Sequence, residues 1–259
     1  AAPVRPAASV VILRDGKDGI ETFMLERQEG ASMAFSGALV FPGGKVDKAD
    51  GLSAWNNHAP ATPPVPERPF WIAAIRETFE EAGLLLARSQ GGGPLLDARA
   101  AHKIVTADRQ SRIGGMETDF VDLVAAHRLT LAVDQMIHFG HWITPPWAPR
   151  RFDTHFFLVA APVMQRGLFD EGESKEGLWI KPADAVAQAN AGKRTLVPVT
   201  RFSLELLASW RTVEEAVGVA RARPVVTVLP KLEKRPEGRF ICIPADAGYL
   251  STEALLSPT

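Results

Sequence analysis

The chain has 259 residues, 46% of them hydrophobic and 23% charged, with a formal net charge of −1. That size and composition can bury a core without staples, and the near-neutral charge gives no global pull toward nucleic acid or an anionic membrane, so any polyanion site must be local. The single cysteine excludes an intrachain disulfide framework and a cysteine-based zinc site.

Residues 7–27 predict a hairpin, with AASVVIL and IETFMLERQ as strands around the turn RDGKDG. GALVFPGG follows as a short strand ending in a glycine turn. Residues 51–69 hold five prolines and predict a loop that folds out, with Pro69 placed for the first turn of a helix. Residues 70–83 are the clearest helix, and the span from about 97 to 129 carries helical pattern, split in two. MIHFGHWITP and FDTHFFLVAAP predict strands. GLWIKPADAVAQANAG reads as strand, turn and helix, RFSLELLASW and TVEEAVGVARA as helices within about 201–222, and residues 224–246 as a C-terminal hairpin. Cys242, among apolar neighbours, predicts a buried structural thiol, and Trp142 and Trp147 predict core packing, with stacking on a flat ligand ring as the alternative. Strands and helices mix without strict alternation, which fits an α/β fold with a mixed sheet better than a parallel doubly wound one. No run approaches the roughly 18 apolar residues of a membrane helix. The N-terminus lacks a secretion signal and the C-terminal SPT is no peroxisomal address, so the expected location is cytoplasmic.

On a helical wheel Arg76, Glu80, Glu77 and Glu81 share one arc of about 140°, opposite Trp71, Ile72, Ile75 and Phe79. Three carboxylates on one face repel one another. Two readings follow: a solvated acidic face, or a site for a hard cation such as Mg²⁺ or Mn²⁺, which prefers oxygen ligands and often shares them with substrate phosphates. Gly83 is placed to end the helix. The two glycines before Lys45 are open to three readings as well: a phosphate-binding turn, a tight hairpin, or no chemistry.

GGKVDKAD and RETFEEAGL together resemble the Nudix box, G-x5-E-x7-R-E-U-x-E-E-x-G-U. Counted from Gly44, Asp50 stands where the family has Glu, and 25 residues rather than the usual seven precede Arg76, an insertion of 18 residues. Thr78 replaces a bulky apolar residue. A long-insertion branch of the family, which includes the mammalian peroxisomal acyl-CoA diphosphatase, is similar here over most of residues 7–165. The resemblance implies an α/β/α sandwich with a mixed sheet, in one domain over 1–259, elaborated by the insertion at about 51–69 and helices at about 97–129 and 201–222. It implies a metal-dependent hydrolase that cleaves a diphosphate in a nucleotide-type small molecule. Glu77, Glu80, Glu81 and the carbonyl of Gly43 would hold Mg²⁺ or Mn²⁺, and Arg76 would orient the carboxylates. Glu77, or an acid outside the box such as Glu173 in FDEGESKEG, would serve as base.

The branch points to CoA or acyl-CoA as substrate. Arg27, Gly30 and Gly37 remain of the basic pattern that precedes FPGG in CoA-directed members, while Met33 stands near an expected arginine. Arg150 and Arg151 either reach a 3′-phosphate or are surface cations at a strand start. His155 reads as structural. ADP-ribose, NADH or a dinucleoside polyphosphate is the alternative substrate, because the box handles only the shared diphosphate. A non-catalytic ligand-binding Nudix domain is set against the presence of all three box glutamates. A P-loop is excluded, since no G-x4-G-K-[ST] occurs. The expected partners are a small molecule and a second copy of the chain, with no nucleic acid and no membrane.

Overall fold

In the computed structural model, which describes residues 2–27, 37–59, 63–64, 66–116, 118–162, 165 and 174–258, the N-terminal apolar run becomes strand β1 (Val4–Gly16). Side chains of a strand alternate between faces. Val10 and Ile12 accordingly enter one apolar cluster and Val11 and Leu13 another. A strand with two apolar faces has to be covered on both sides.

In chain order follow β2 (Gly19–Arg27), β3 (Leu39–Val40), β4 (Gly43–Lys45), helix α1 (Arg68–Ala82), β5 (Ala87–Ser89), α2 (Ala98–Ile113), α3 (Phe120–Ala126) and β6 (Leu129–Leu131). The second half adds β7 (Ile137–Ile143), β8 (Arg151–Ala160), β9 (Ser174–Ile180), α4 (Pro182–Asn190), α5 (Pro198–Leu207), α6 (Val213–Ala222), β10 (Thr227–Val228), β11 (Lys231–Arg235), β12 (Gly238–Cys242) and β13 (Glu253–Pro258).

Eight strands form a mixed sheet in the order β10-β7-β8-β1-β2-β3, with β4 on β1 and β9 on β2. β1 and β2 are the expected antiparallel hairpin, while β1 runs parallel to β8 from Val4 opposite Arg151 to Leu13 opposite Ala160. Helix α1 supplies Ile72, Ile75 and Phe79 to the cluster on one face, and α5 and α6 supply Phe202, Leu207 and Ala216 to the cluster on the other. The layering is therefore helix, sheet, helix. Among the described residues no helix is long and apolar enough to cross a membrane.

Four expectations change. The insertion is not a loop that folds out. A 3₁₀ turn, Lys48–Gly51, leads into it, its first half winds into a second, Ser53–Asn57, and Trp55 is 1% exposed. The Trp55 indole donates to Ala49 O at 2.9 Å and its ring lies 5.8 Å from Phe120 of α3, while His58 O accepts from Leu131 N at 2.7 Å. An apolar ring and a satisfied N–H hold this segment in the core. The C-terminal hairpin gains a third strand, giving the antiparallel order β11-β12-β13. Cys242 is only half-buried, beside Arg235, because β12 lies in this small sheet and not in the large one. Its thiol is pushed up by burial and by the Glu233 carboxylate, which leaves it a poor nucleophile. Trp142 does pack in the core, donating to Tyr249 Oη at 2.7 Å, whereas Trp147 is 55% exposed.

Trp55→Ala should lower unfolding free energy by about 3–5 kcal/mol. Urea denaturation of both proteins, followed by far-UV circular dichroism, measures the difference.

Candidate active site

Pro69 opens α1, and Gly83 closes it in the left-handed region (φ 60°), donating to Phe79 O. Thr78, at a position that ordinarily takes a bulky apolar residue, is fully buried and donates its hydroxyl to Ala74 O at 2.8 Å. A satisfied hydroxyl lets a β-branched residue fill an apolar slot. The opposite face of the helix meets β4. β1 carries β4 antiparallel, with Ala8 opposite Gly44 and Ser9 opposite Gly43. A Cβ on Gly43 would stand 2.4 Å from Ala8 O, and one on Gly44 would stand 2.5 Å from the Glu77 carboxylate. The glycines are therefore a close-approach device, bringing bare backbone against the acids of α1.

Those acids are not a solvated face. The side chains of Glu77, Glu80 and Glu81 are 13%, 26% and 6% exposed. Their charge is balanced by guanidinium groups. Arg76 Nη1 donates to Glu77 Oε1 at 2.8 Å and to Glu80 Oε2 at 2.9 Å. Its Nη2 donates to Lys45 O at 2.9 Å, and its Nε and Nη2 grip Asp50 at 2.9 and 3.0 Å. Burial pulls the Arg76 pKa down, but the hydrogen bond to Asp50 and the charges of Glu77, Asp50 and Glu80 outweigh it and hold the pKa well above its usual value. Asp50 is fully buried and also accepts from Asp47 N at 2.8 Å, inside the 3₁₀ turn. That turn sets the short Asp50 side chain within reach of Arg76.

A second guanidinium lies on the other side. Arg27 Nη2 is 3.1 Å from Gly43 O and 2.9 Å from Glu81 Oε1, and Gly43 N donates to Glu81 Oε2 at 2.8 Å. The Gly43 carbonyl and the Glu81 carboxylate thus converge on one positive nitrogen. Their geometry accommodates a cation, and every donor is oxygen, the set a hard divalent ion takes. Arg112 of α2, which sequence reasoning did not single out, reaches Glu80 Oε1 at 3.2 Å and holds Asp108 at 2.8 Å. Burial lowers the Arg112 pKa, but the Asp108 hydrogen bond and the charges of Asp108 and Glu80 raise it overall. Only the i, i+4 pairing of Asp108 with Arg112 was visible in the sequence. A cavity of about 220 Å³ opens here, lined by Asp50, Trp55, Arg76, Glu80, Arg112 and Phe120 among others. The insertion and the helical elaboration thus wall the site.

Arg150 and Arg151 lie elsewhere. β8 pairs Arg151 with Val4, five residues along β1 from the Gly43 rung, or about 16 Å. Arg151 donates to Thr144 O at 3.0 Å and to Ala2 O at 3.4 Å, and Arg150 is exposed. Glu176 pairs with Arg194 at 2.9 Å. Glu173, Gly30 and Met33 lie outside the described residues.

The family model described as NUDT19 Nudix domain matches residues 57–207, more than half of the chain. The chain belongs to the Nudix hydrolase family. This Nudix hydrolase is 27% identical to the acyl-coenzyme A diphosphatase NUDT19 of Gallus gallus over 75% of its own length and 63% of that protein's. It is 24% identical to the Homo sapiens protein of the same name, over 92% of this chain and 75% of that one. A crystal structure of a NUDIX hydrolase from Alicyclobacillus acidocaldarius superposes with a TM-score of 0.65 at 25% identity, covering 84% of this chain and 96% of the other. The matched family segment starts after Gly43, Gly44 and Asp50, so the helix half of the box carries that match.

Two outcomes are expected. Gly44→Ala should displace Glu77 and lower kcat by about 100-fold with little loss of thermal stability, read by steady-state kinetics beside a melting curve. Asp50→Asn should cost about 1.5–3 kcal/mol, because it weakens hydrogen bonds to a buried charge, as urea denaturation would report.

Proposed function

We propose that this Nudix hydrolase cleaves the diphosphate linkage of coenzyme A or an acyl-coenzyme A, with Mg²⁺ or Mn²⁺ as cofactor. The observation that carries the hydrolytic part is the convergence of oxygens on shared cations: Gly43 O with Glu81 on Arg27, and Glu77 with Glu80 on Arg76. Such a set suits Mg²⁺ and Mn²⁺ over softer ions. A divalent ion bound there would neutralise phosphate oxygens and lower the pKa of water.

Glu80 and Glu81 are the principal ligands in this reading, with the Gly43 carbonyl beside them. Glu77, pressed against Gly44, joins them or takes the proton from the attacking water. The water oxygen bonds to one phosphorus, the anhydride P–O bond breaks, and two phosphomonoesters leave. For CoA these are 3′-phosphorylated AMP and phosphopantetheine. Arg76 holds Glu77 and Glu80 in place, and Arg27 and Arg112, beside Glu81 and Glu80, would offer guanidinium donors to phosphate oxygens. The coenzyme A part is supported by the relatives named acyl-coenzyme A diphosphatase and by the family model that matches.

The purified chain should be incubated with Mg²⁺ or Mn²⁺ and CoA, acyl-CoA, ADP-ribose, NADH and diadenosine polyphosphates, with products resolved by chromatography. CoA species should be cut at the diphosphate, and Glu80→Gln should lose roughly 10²–10⁴-fold in rate. Preference for another substrate would retain the site and reject the CoA assignment. No cleavage with either ion would support a ligand-binding role instead.

A further inference from the structure

A second group of ligand-type side chains lies on the β7–β8 hairpin. The antiparallel register sets His141 opposite His155 and Ile143 opposite Asp153, with an irregularity between His138 and Gly140. In a regular strand, residues 138 and 141 would point to opposite faces. The bulge resets that parity and brings His138 beside His155, Nε2 to Nδ1 at 2.9 Å. Three imidazoles thus meet on the sheet face that α1 covers, with Phe70 of α1 edge-on to His155 at 4.5 Å. One ligand atom from each of His141, Asp153 and His155 lies within 4.8 Å of the others.

His141 and His155 stack face to face, ring centroids 3.9 Å apart and planes 9° from parallel, so holding one ion requires the His155 ring to turn about its Cβ–Cγ bond. Where His155 Nδ1–H donates and His138 Nε2 accepts, His155 Nε2 keeps its lone pair. His141 Nδ1 meets Thr227 Oγ1 at 2.7 Å, while its Nε2 stands 2.5 Å from Asp153 Oδ1. A cation can replace the single proton between Nε2 and Oδ1, with Thr227 still holding the ring from behind. A metal-bound histidine characteristically has its second nitrogen tied in this way. Asp153 is 35% exposed and His155 8%, which leaves one open side.

We propose that His141, Asp153 and His155 form a second divalent-metal site, of the Zn²⁺ class, that clamps β7 to β8. Two nitrogens and one carboxylate match Zn²⁺, whereas the all-oxygen set of α1 and β4 matches Mg²⁺ or Mn²⁺. The two sites share no ligand. His155 faces Ala8, which faces Gly44, so they stand about 10 Å apart across two strand spacings. The assignment is independent of the coenzyme A reading.

The test is titration of the metal-stripped full chain with Co²⁺, in saturating Mg²⁺, followed by visible absorption, and with Zn²⁺, followed by calorimetry and melting temperature. One equivalent should bind, raise the melting temperature, and persist in Glu80→Gln. His141→Ala and the near-isosteric Asp153→Asn should each weaken binding at least tenfold, with circular dichroism confirming the fold. The proposal is overturned if wild type binds neither ion. It is equally overturned if Asp153→Asn binds as wild type does, or if Glu80→Gln abolishes the binding.

Discussion

The guanidinium of Arg76 lies almost out of solvent among Asp50, Glu77 and Glu80, and it also holds the carbonyl of Lys45. Four pieces of chain meet at this one group: the end of β4, the 3₁₀ turn after it, and two turns of α1. Removing a partner from a buried charge is far more costly than the pair is stabilising. The interaction therefore selects one arrangement of strand, turn and helix. The carboxylates inherit their positions from it, and the glycine strand is free to press against them because it has no side chains in the way.

Much of this was legible in the sequence because it is local. Arg76, Glu77, Glu80 and Glu81 share a face by helical periodicity, whereas the two adjacent glycines before them left three readings open until the structure set Gly44 against Glu77. The insertion was misread for the opposite reason. Five prolines and a run of polar residues say loop, and nothing near Trp55 says that its ring will meet Phe120, which is remote in sequence and comes from another helix. Arg112 was missed likewise, since its contact with Glu80 depends on how α2 lies across the sheet. His155 was read as a structural residue because alternation alone pairs it with Asp153. The irregularity that adds His138 and His141 to the same face leaves no mark in composition.

The two faces of the sheet are divided in use. One is covered by α5 and α6 through an apolar cluster, and the other carries α1, the acids and the histidines. β1 has to serve both faces and three neighbours: β8 along one edge, β2 and β4 on the other. Its apolar run, broken only by Ser9, is what that position requires, and it explains why so featureless a stretch of sequence is the one on which the site is registered.

Asp50 makes its ion pair before the inserted residues begin, and Arg76 closes the pair after they end. Asp50 and Arg76 are thus a noncovalent clasp around 25 residues. Chain statistics make the length of such a loop a weak variable, since growing it from seven residues to 25 costs only about 1 kcal/mol of closure entropy. Burying one indole outweighs that. Segments of quite different length can therefore be grafted between these two residues over evolutionary time, provided each brings its own anchor, and the wall of the pocket can be rebuilt without disturbing the acids beneath it.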